Sequence, residues 1–217
     1  MTLLTFPLPL DQFFDLLPVE TLTFDPSESV EIDETGGGEV LKATLGPDLW
    51  QGQLDLTVMT WDEAFAITPM INVLRRAGAS FLVADPRRPW PRLDPEGAIL
   101  GQANVQISAI GSSMREIALK GLPARYLLSR GDLLSFPYGI PSRYALHEIV
   151  GPTVADTNGE TTLFEVTPPI RSGAAVIAPV QLIWPRCKAV LRGGASTGKS
   201  GANATRDASI SWTQTLR

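Results

Sequence analysis

The stretch Tyr126–Arg171, YLLSRGDLLSFPYGIPSRYALHEIVGPTVADTNGETTLFEVTPPIR, decides the fold class. It contains three mostly apolar runs, and glycine or proline follows each of them. In the third run, Thr161–Thr167, Phe164 and Val166 point to one side and their neighbours to the other. This period of two is typical of a β-strand with one buried face.

Two turn signals separate these runs. Pro137–Pro141 is predicted to end the first strand, because proline cannot donate to a ladder and Gly139 tolerates a positive φ. Asp156–Gly159 contains Asn-Gly, the pair that most readily supplies the positive φ angles of a tight turn. The stretch therefore predicts an antiparallel β unit, and it contains no evident set of catalytic side chains.

The rest of the 217-residue chain continues this pattern. Hydrophobic residues make up 44% and charged residues 19%, which is ordinary for a globular protein, and 19 glycines and 18 prolines favour short strands with many turns. We predict a mainly β fold, an antiparallel sandwich or barrel. The expected organisation is a single β-rich domain over residues 1–217, with a flexible Gly/Ser-rich loop at 193–207.

One amphipathic helix interrupts the strands, at about residues 61–77. Thr60 is the predicted N-cap, and Asp62 and Glu63 follow in the first turn, where the helix dipole favours acidic side chains. Gly78 is the expected residue after the helix. Pro69 is expected to kink the helix or delay its start.

Composition limits the classes of function. The formal net charge of -5 argues against a general nucleic-acid-binding surface. A single cysteine, Cys187, excludes an internal disulfide, and with one histidine, His147, it argues against a Cys/His zinc site. We expect no metal, no cofactor and no membrane span, and a protein made in a reducing cytoplasm.

One motif matches a nucleotide-binding loop. Gly193–Ser200 satisfies G-x-x-x-x-G-K-[ST], with Gly193, Gly198, Lys199 and Ser200 at the defining positions. Such a loop must open a helix, whereas residues 201–207, GANATRD, are poor helix formers. We interpret the match as fortuitous, in a mobile loop, and keep a nucleotide-binding protein as an alternative.

Other short signals have simpler explanations. His147 lies in a predicted strand without a nearby base or nucleophile, so a packing role is favoured over catalysis. Arg130-Gly131-Asp132 is an adhesion tripeptide by sequence, but Gly-Asp is also what a turn before a strand requires. A receptor- or carbohydrate-binding β module is a further alternative, because a tryptophan such as Trp90 can stack on sugars.

Several segments, in their order, resemble distal-tail and tail-tip structural proteins of long-tailed, siphovirus-like phages and prophages. The resemblance extends over about residues 50 to 190. The matching segments are Trp50-Gln51-Gly52, Asp62-Glu63-Ala64, Phe81–Pro86, Arg130-Gly131-Asp132 with Leu133–Phe136, Ala145-Leu146-His147, and Phe164–Arg171.

The resemblance implies a structural virion protein without enzymatic activity or catalytic residues. It implies a ring, expected to be a homo-hexamer, that joins the tail tube to the hub or baseplate proteins. It also implies a location in the phage tail, after assembly in the host cytoplasm. DNA is expected to pass through the ring, and no specific nucleic-acid binding and no membrane binding are expected. The proline-rich segments Met1–Pro18 and Asp85–Pro95 and exposed sheet edges are then candidate subunit contacts.

Overall fold

A computed structural model describes residues 3–193, 195–201 and 204–217. The chain is mainly β, with antiparallel sheets and one α-helix, consistent with a β-sandwich or barrel-like fold, so the predicted fold class is confirmed. The strands are β1 Val19–Pro26, β2 Val30–Glu34, β3 Val40–Thr44, β4 Trp50–Leu56, β5 Phe81–Ala84, β6 Gln106–Ile110, β7 Glu116–Lys120, β8 Leu127–Leu128, β9 Leu133–Tyr138, β10 Arg143–Ile149, β11 Thr153–Val154, β12 Phe164–Thr167, β13 Arg186–Leu191, β14 Lys199–Ser200, β15 Thr205–Arg206 and β16 Ser209–Gln214. Helix α1 is Trp61–Leu74, and short 3-10 turns form at Leu10–Gln12, Phe14–Leu16 and Pro95–Gly97.

The chain divides into two compact units, each built from segments that are distant in sequence. The first unit comprises the chain up to Leu16, Gly78–Ala189 and Leu216–Arg217, and the second comprises Leu17–Ala77 and Val190–Thr215. The expectation of a single β-rich domain stays a prediction.

The first unit contains a five-stranded antiparallel sheet in the order β6-β7-β12-β10-β9, together with the pairs β5–β13 and β8–β11. One apolar cluster packs against this sheet and forms the core of the unit. Its fully buried members include Ile107, Ile117, Leu119, Leu134 and Ile149. Burial of each such side chain contributes about 1.5–3 kcal/mol relative to an exposed position.

The Tyr126–Arg171 stretch forms the predicted antiparallel unit with one correction. Pro137 does not end the first strand: β9 continues to Tyr138, and Pro137 is the register partner of Tyr144. Proline is tolerated here because β9 is an outer strand of its sheet, where a missing N–H need not interrupt the ladder. The chain turns after this strand, around Gly139, whose φ is 71°.

The Asn158-Gly159 turn forms as predicted. Gly159 has a φ of 79°, and a Cβ atom there would lie 2.0 Å from the Leu122 carbonyl oxygen, so this position requires glycine. The strand after it is shorter than expected and starts at Phe164. Its alternation is as predicted, with Phe164 and Val166 buried.

The second unit contains three paired strands in the order β1-β4-β16, and the two-stranded sheets β2–β3 and β14–β15. Trp50, Phe24 and Trp212 form its aromatic core, with the Phe24 ring centroid 4.8 Å from that of Trp212 and 5.4 Å from that of Trp50. Gly52 pairs with Trp212 in the register of β4 and β16. The absence of a side chain at Gly52 makes room for the indole ring.

Helix α1 begins as the sequence predicts. Thr60 and Glu63 form a reciprocal capping box, in which each side chain accepts a hydrogen bond from the other residue's backbone amide. The helix ends at Leu74, three residues before the expected end, and Gly78 follows with a φ of 84°. Pro69 lies inside the helix.

Among the described residues, no helix is both long enough and apolar enough to cross a membrane.

Candidate functional site

The first candidate surface is the β2–β3 hairpin of the second unit. Its register runs from Val30 opposite Thr44 to Glu34 opposite Val40, and Gly38 closes the turn with a φ of 80°. The hairpin is an insertion between β1 and β4, whose own ladder starts at Pro26 and Trp50. We call Val30–Thr44 the hairpin arm.

The hairpin arm is exposed on both faces. Val30 is half-buried, and the other residues of both strands are exposed, including Ile32 at 62% and Val40 at 63%. Within the part of the chain that the structure describes, neither strand of the arm belongs to a larger sheet. A two-stranded hairpin without packing is at best marginally stable, so this arm is suited to a binding partner.

The two faces of the arm differ in chemistry. Cross-strand partners share a face, so Glu31 and Asp33 lie on the same face as Ala43 and Leu41. We call these four residues the acidic face. The opposite face contains Lys42, whose Nζ is 3.4 Å from Glu28 Oε1, so the acidic face itself contains no cation.

The second candidate surface is a cleft of about 310 Å³ in the first unit. Two loops form it: the proline-rich segment after β5 and the turn before β9. We call it the arginine cleft, and its lining residues are Arg87, Arg88, Pro89, Trp90, Arg92, Arg130, Gly131 and Asp132.

Asp85 holds two of these arginines. Its buried carboxylate accepts hydrogen bonds from Arg87 Nε at 2.9 Å, Arg87 Nη2 at 3.0 Å and Arg88 Nε at 2.9 Å. Burial alone would raise the pKa of Asp85, but these bonds, the Arg87 amide and the charge of Arg88 lower it below its usual value. Arg88 also contacts Glu148, with Nη1 3.1 Å from Oε2. Asp85 and Glu148 therefore offset much of the charge of Arg87 and Arg88.

Asp132 fixes the opposite wall of the arginine cleft. It is buried, and its carboxylate accepts hydrogen bonds from the backbone amides of Arg92 at 2.9 Å and Ser129 at 2.7 Å. The adjacent Arg130 donates from Nε to the Val150 carbonyl at 2.8 Å. The Arg-Gly-Asp tripeptide thus joins two loops in this structure, and its acidic residue is not exposed.

Two guanidinium groups of the cleft have no carboxylate partner. Arg92 and Arg130 are both exposed, and among the described residues neither forms an ion pair. Arginine presents several donors in a fixed planar fork that matches carboxylate and phosphate oxygens. The arginine cleft is therefore suited to an anionic group.

No family model matches the chain, and no curated protein is significantly similar to it. The roles of the two candidate surfaces are therefore inferred from their geometry and chemistry.

The nucleotide-loop match adopts a different local structure. Lys199 and Ser200 form the exposed strand β14, which pairs with β15, whereas a phosphate-binding loop continues into a helix. Gly198 has a φ of 86°, and Lys199 Nζ lies 3.9 Å from Asp207 Oδ2. Gly193 lies in the turn before this segment, and residue 194 falls outside the described residues.

The segment predicted to be a flexible loop, 193–207, contains ordered contacts. Thr205 is buried, and its backbone exchanges two 2.9 Å hydrogen bonds with Met59. Arg75 Nη2 donates to the Ala195 carbonyl at 2.7 Å. The expected flexibility of this segment stays a prediction, and residues 202 and 203 lie outside the described part of the chain.

His147 and Cys187 are both packed in the first unit. The His147 ring is stacked on Phe136, with centroids 5.3 Å apart, and Nδ1 is 2.7 Å from the Pro168 carbonyl oxygen. Burial raises the pKa of the Cys187 thiol, which makes the thiolate scarce at neutral pH. Among the described residues, no three His, Cys, Asp or Glu side chains are grouped as a metal site would require.

Stability is expected to fall between pH 6.5 and pH 4 because of His147. Burial lowers the pKa of His147 from 6.5 to about 4, with a smaller contribution from the charge of Arg171 in the same direction and an opposing one from the Pro168 hydrogen bond. The unfolded chain binds a proton in this window and the folded chain does not. The free energy of unfolding should therefore decrease by about 3 kcal/mol as the pH falls.

Urea unfolding at intervals across this window measures the effect, with His147→Asn as the matched variant because its side-chain amide takes the place of Nδ1 and can still donate to Pro168. The parent should show the steeper loss of stability between pH 6.5 and pH 4. Equal slopes for the parent and the variant would contradict the prediction.

The arginine cleft is not evident from the sequence, because its two halves, the Asp85–Pro95 segment and the Arg130-Gly131-Asp132 tripeptide, are separate features of the chain. A usable signal is nevertheless present: three arginines, Arg87, Arg88 and Arg92, lie within six positions between prolines. A cluster of this kind in a stiff loop favours anion binding over a simple connection.

Proposed function

We propose that the protein is a structural component of a phage tail tip, a distal tail ring that joins the tail tube to the hub or baseplate. It would act through subunit contacts and without catalysis, and would belong to the virion after assembly in the host cytoplasm. The observation that supports this best is the exposed hairpin arm. The ordered resemblance of residues 50 to 190 to distal-tail proteins supports the phage context.

The hairpin arm supports a subunit contact because ordering its backbone costs conformational free energy. Fixing a residue's backbone costs ~1–2 kcal/mol, which packing normally offsets. Ile32, Val40 and Leu41 are exposed, so the arm has little of this compensation within its own unit. Contact with a neighbouring copy would bury part of this apolar surface, Leu41 above all, and supply the compensation.

A ring also requires a contact that is repeated around an axis. A patch on one copy that fits a different patch on the next copy closes into a ring when the rotation permits. We propose six copies, with the tail tube protein on one face, the hub or baseplate proteins on the other and DNA passing through the centre. The arm is the proposed contact along the ring.

Removal of the hairpin arm is expected to abolish ring formation and to leave the subunit folded. Residues 29–45 are replaced by Asn-Gly, which retains the hydrogen bond from the Ser27 amide to the Leu49 carbonyl, 2.7 Å, at the base of the arm. Negative-stain electron microscopy of concentrated protein should show rings for the parent and single subunits for the variant. Circular dichroism checks the fold.

The matched control is Ile140→Ser, which removes a 99% exposed apolar side chain outside the arm. This control should assemble as the parent does, whereas Leu41→Ser, on the acidic face, should weaken assembly. A parent protein that stays monomeric at high concentration, and is missing from purified virions, would refute the proposed function.

A further inference from the structure

We infer that the acidic face of the hairpin arm docks into the arginine cleft of the next copy in the ring. This inference rests on the proposed function and names the two surfaces that meet. The occupant of the arginine cleft is thus a second copy of this chain. Each surface lies within its own compact unit, so the contact joins the second unit of one copy to the first unit of another.

Charge complementarity is the first reason. In the arginine cleft, Arg92 and Arg130 are exposed guanidinium groups without a carboxylate partner among the described residues. On the acidic face, Glu31 is exposed and forms no ion pair with any residue that the structure describes. The Asp33 carboxylate accepts one hydrogen bond, 2.8 Å, from the adjacent Glu34 amide. The acidic face therefore presents two carboxylates and the arginine cleft two exposed guanidinium groups, with Asp132 held by backbone amides in the cleft wall.

Spacing within the arm favours two simultaneous pairs. Glu31 and Asp33 are two residues apart on one strand, so their side chains project from the same face about 7 Å apart. Arginine can engage each carboxylate through two parallel N–H···O bonds. One carboxylate of the arm for each unpaired arginine of the cleft is the simplest arrangement.

Apolar contacts complement the charges. Leu41 is 52% exposed on the acidic face, directly opposite Asp33 in the hairpin register. The arginine cleft contains Trp90 and Pro89 next to its guanidinium groups. Leu41 against Trp90 would exclude water from the neighbouring ion pairs, and desolvated charge pairs of this kind contribute more than exposed ones.

The arginine cleft is also preorganised, because hydrogen bonds within the subunit fix its walls. Asp132 hydrogen-bonds the Arg92 and Ser129 amides, and Asp85 immobilises the Arg87 and Arg88 side chains. Prolines on both sides of Trp90 restrict the backbone further. A cleft that is already ordered loses less conformational freedom on binding, which strengthens association.

The two surfaces are different, as a closed ring of identical subunits requires. An arm that meets a cleft on the next copy leaves its own cleft open for the arm of the preceding copy. Such a head-to-tail contact closes only when the last arm reaches the first cleft. The acidic face and the arginine cleft therefore give the ring a direction.

The test uses charge reversal in two variants of the full chain. The arm variant carries Glu31→Arg and Asp33→Arg, and the cleft variant carries Arg92→Glu and Arg130→Glu. Each alone should weaken self-association about tenfold or more in sedimentation velocity, because like charges would then face each other. An equimolar mixture of the two should assemble again, since every reversed arm finds a reversed cleft and every native arm a native cleft.

The control reverses Arg76 and Glu160, which are exposed outside both surfaces, and should associate like the parent. All variants should keep the parent's thermal midpoint. Rings that form equally well in both reversal variants would overturn this inference and leave the proposed function standing. A monomeric parent would overturn both. Loss of association in the cleft variant alone would show that a different surface of the next copy meets the arginine cleft, and would overturn the acidic face as its occupant.

Discussion

Replacement of Asp94 by alanine is expected to lower the free energy of unfolding by about 3–5 kcal/mol, because three hydrogen bonds end on one buried carboxylate. The donors are the Ile99 amide at 2.7 Å, the Leu100 amide at 2.9 Å and the Tyr126 hydroxyl at 2.8 Å. Burial alone would raise the pKa of Asp94, but these donors lower it below its usual value. The alanine variant leaves all three donors without their acceptor, and the Leu100 and Tyr126 donors are buried.

The matched control is Asp11→Ala, which removes an exposed carboxylate from the same unit and should change stability by less than about 0.5 kcal/mol. Urea unfolding of both variants gives the comparison. A double-mutant cycle with Tyr126→Phe isolates the hydroxyl–carboxylate bond, whose coupling should be about 1.5–3 kcal/mol. An Asp94→Ala protein as stable as the parent would show that this carboxylate does not stabilise the segment of residues 94–100.

The local features of the fold were predictable because they depend on neighbours in sequence. The Asn158-Gly159 turn, the alternation of Phe164 and Val166, and the Thr60 cap follow from backbone geometry and side-chain type within a few residues. The error at Pro137 has the opposite origin. Proline was expected to end the strand, but its effect depends on whether the strand lies at the edge of a sheet, and strand order is a tertiary property.

The candidate site was less predictable for the same reason. Arg92 and Asp132 are forty positions apart, and the hydrogen bond between them becomes visible only when the two loops meet. The acidic residues Glu31 and Asp33 are evident in the sequence, but they are equally typical of a solvated turn. The β2–β3 register is what favours a binding surface over a solvated turn. It places Lys42 on the opposite face from these carboxylates and leaves their own face without a cation.

Gly52→Ala is expected to destabilise the second unit by about 3 kcal/mol, at the upper end of overpacking effects. A Cβ atom at this position would lie 2.1 Å from the Thr23 carbonyl oxygen and 2.8 Å from Cζ2 of Trp212. The carbonyl belongs to β1 and the indole to β16, so a shift of β4 to relieve one contact would disturb the pairing on its other side.

The control for this prediction is Gly36→Ala, because a Cβ atom at Gly36 would meet nothing within 4 Å and its φ is not positive. This variant should have the parent's thermal midpoint, whereas that of Gly52→Ala should fall by several degrees.

Because the hairpin arm is inserted between β1 and β4, loss of their ladder also removes the fixed base of the arm. Gly52→Ala should therefore lose assembly at temperatures well below global unfolding, and an unchanged midpoint with intact rings would contradict the close packing of Trp212 over Gly52.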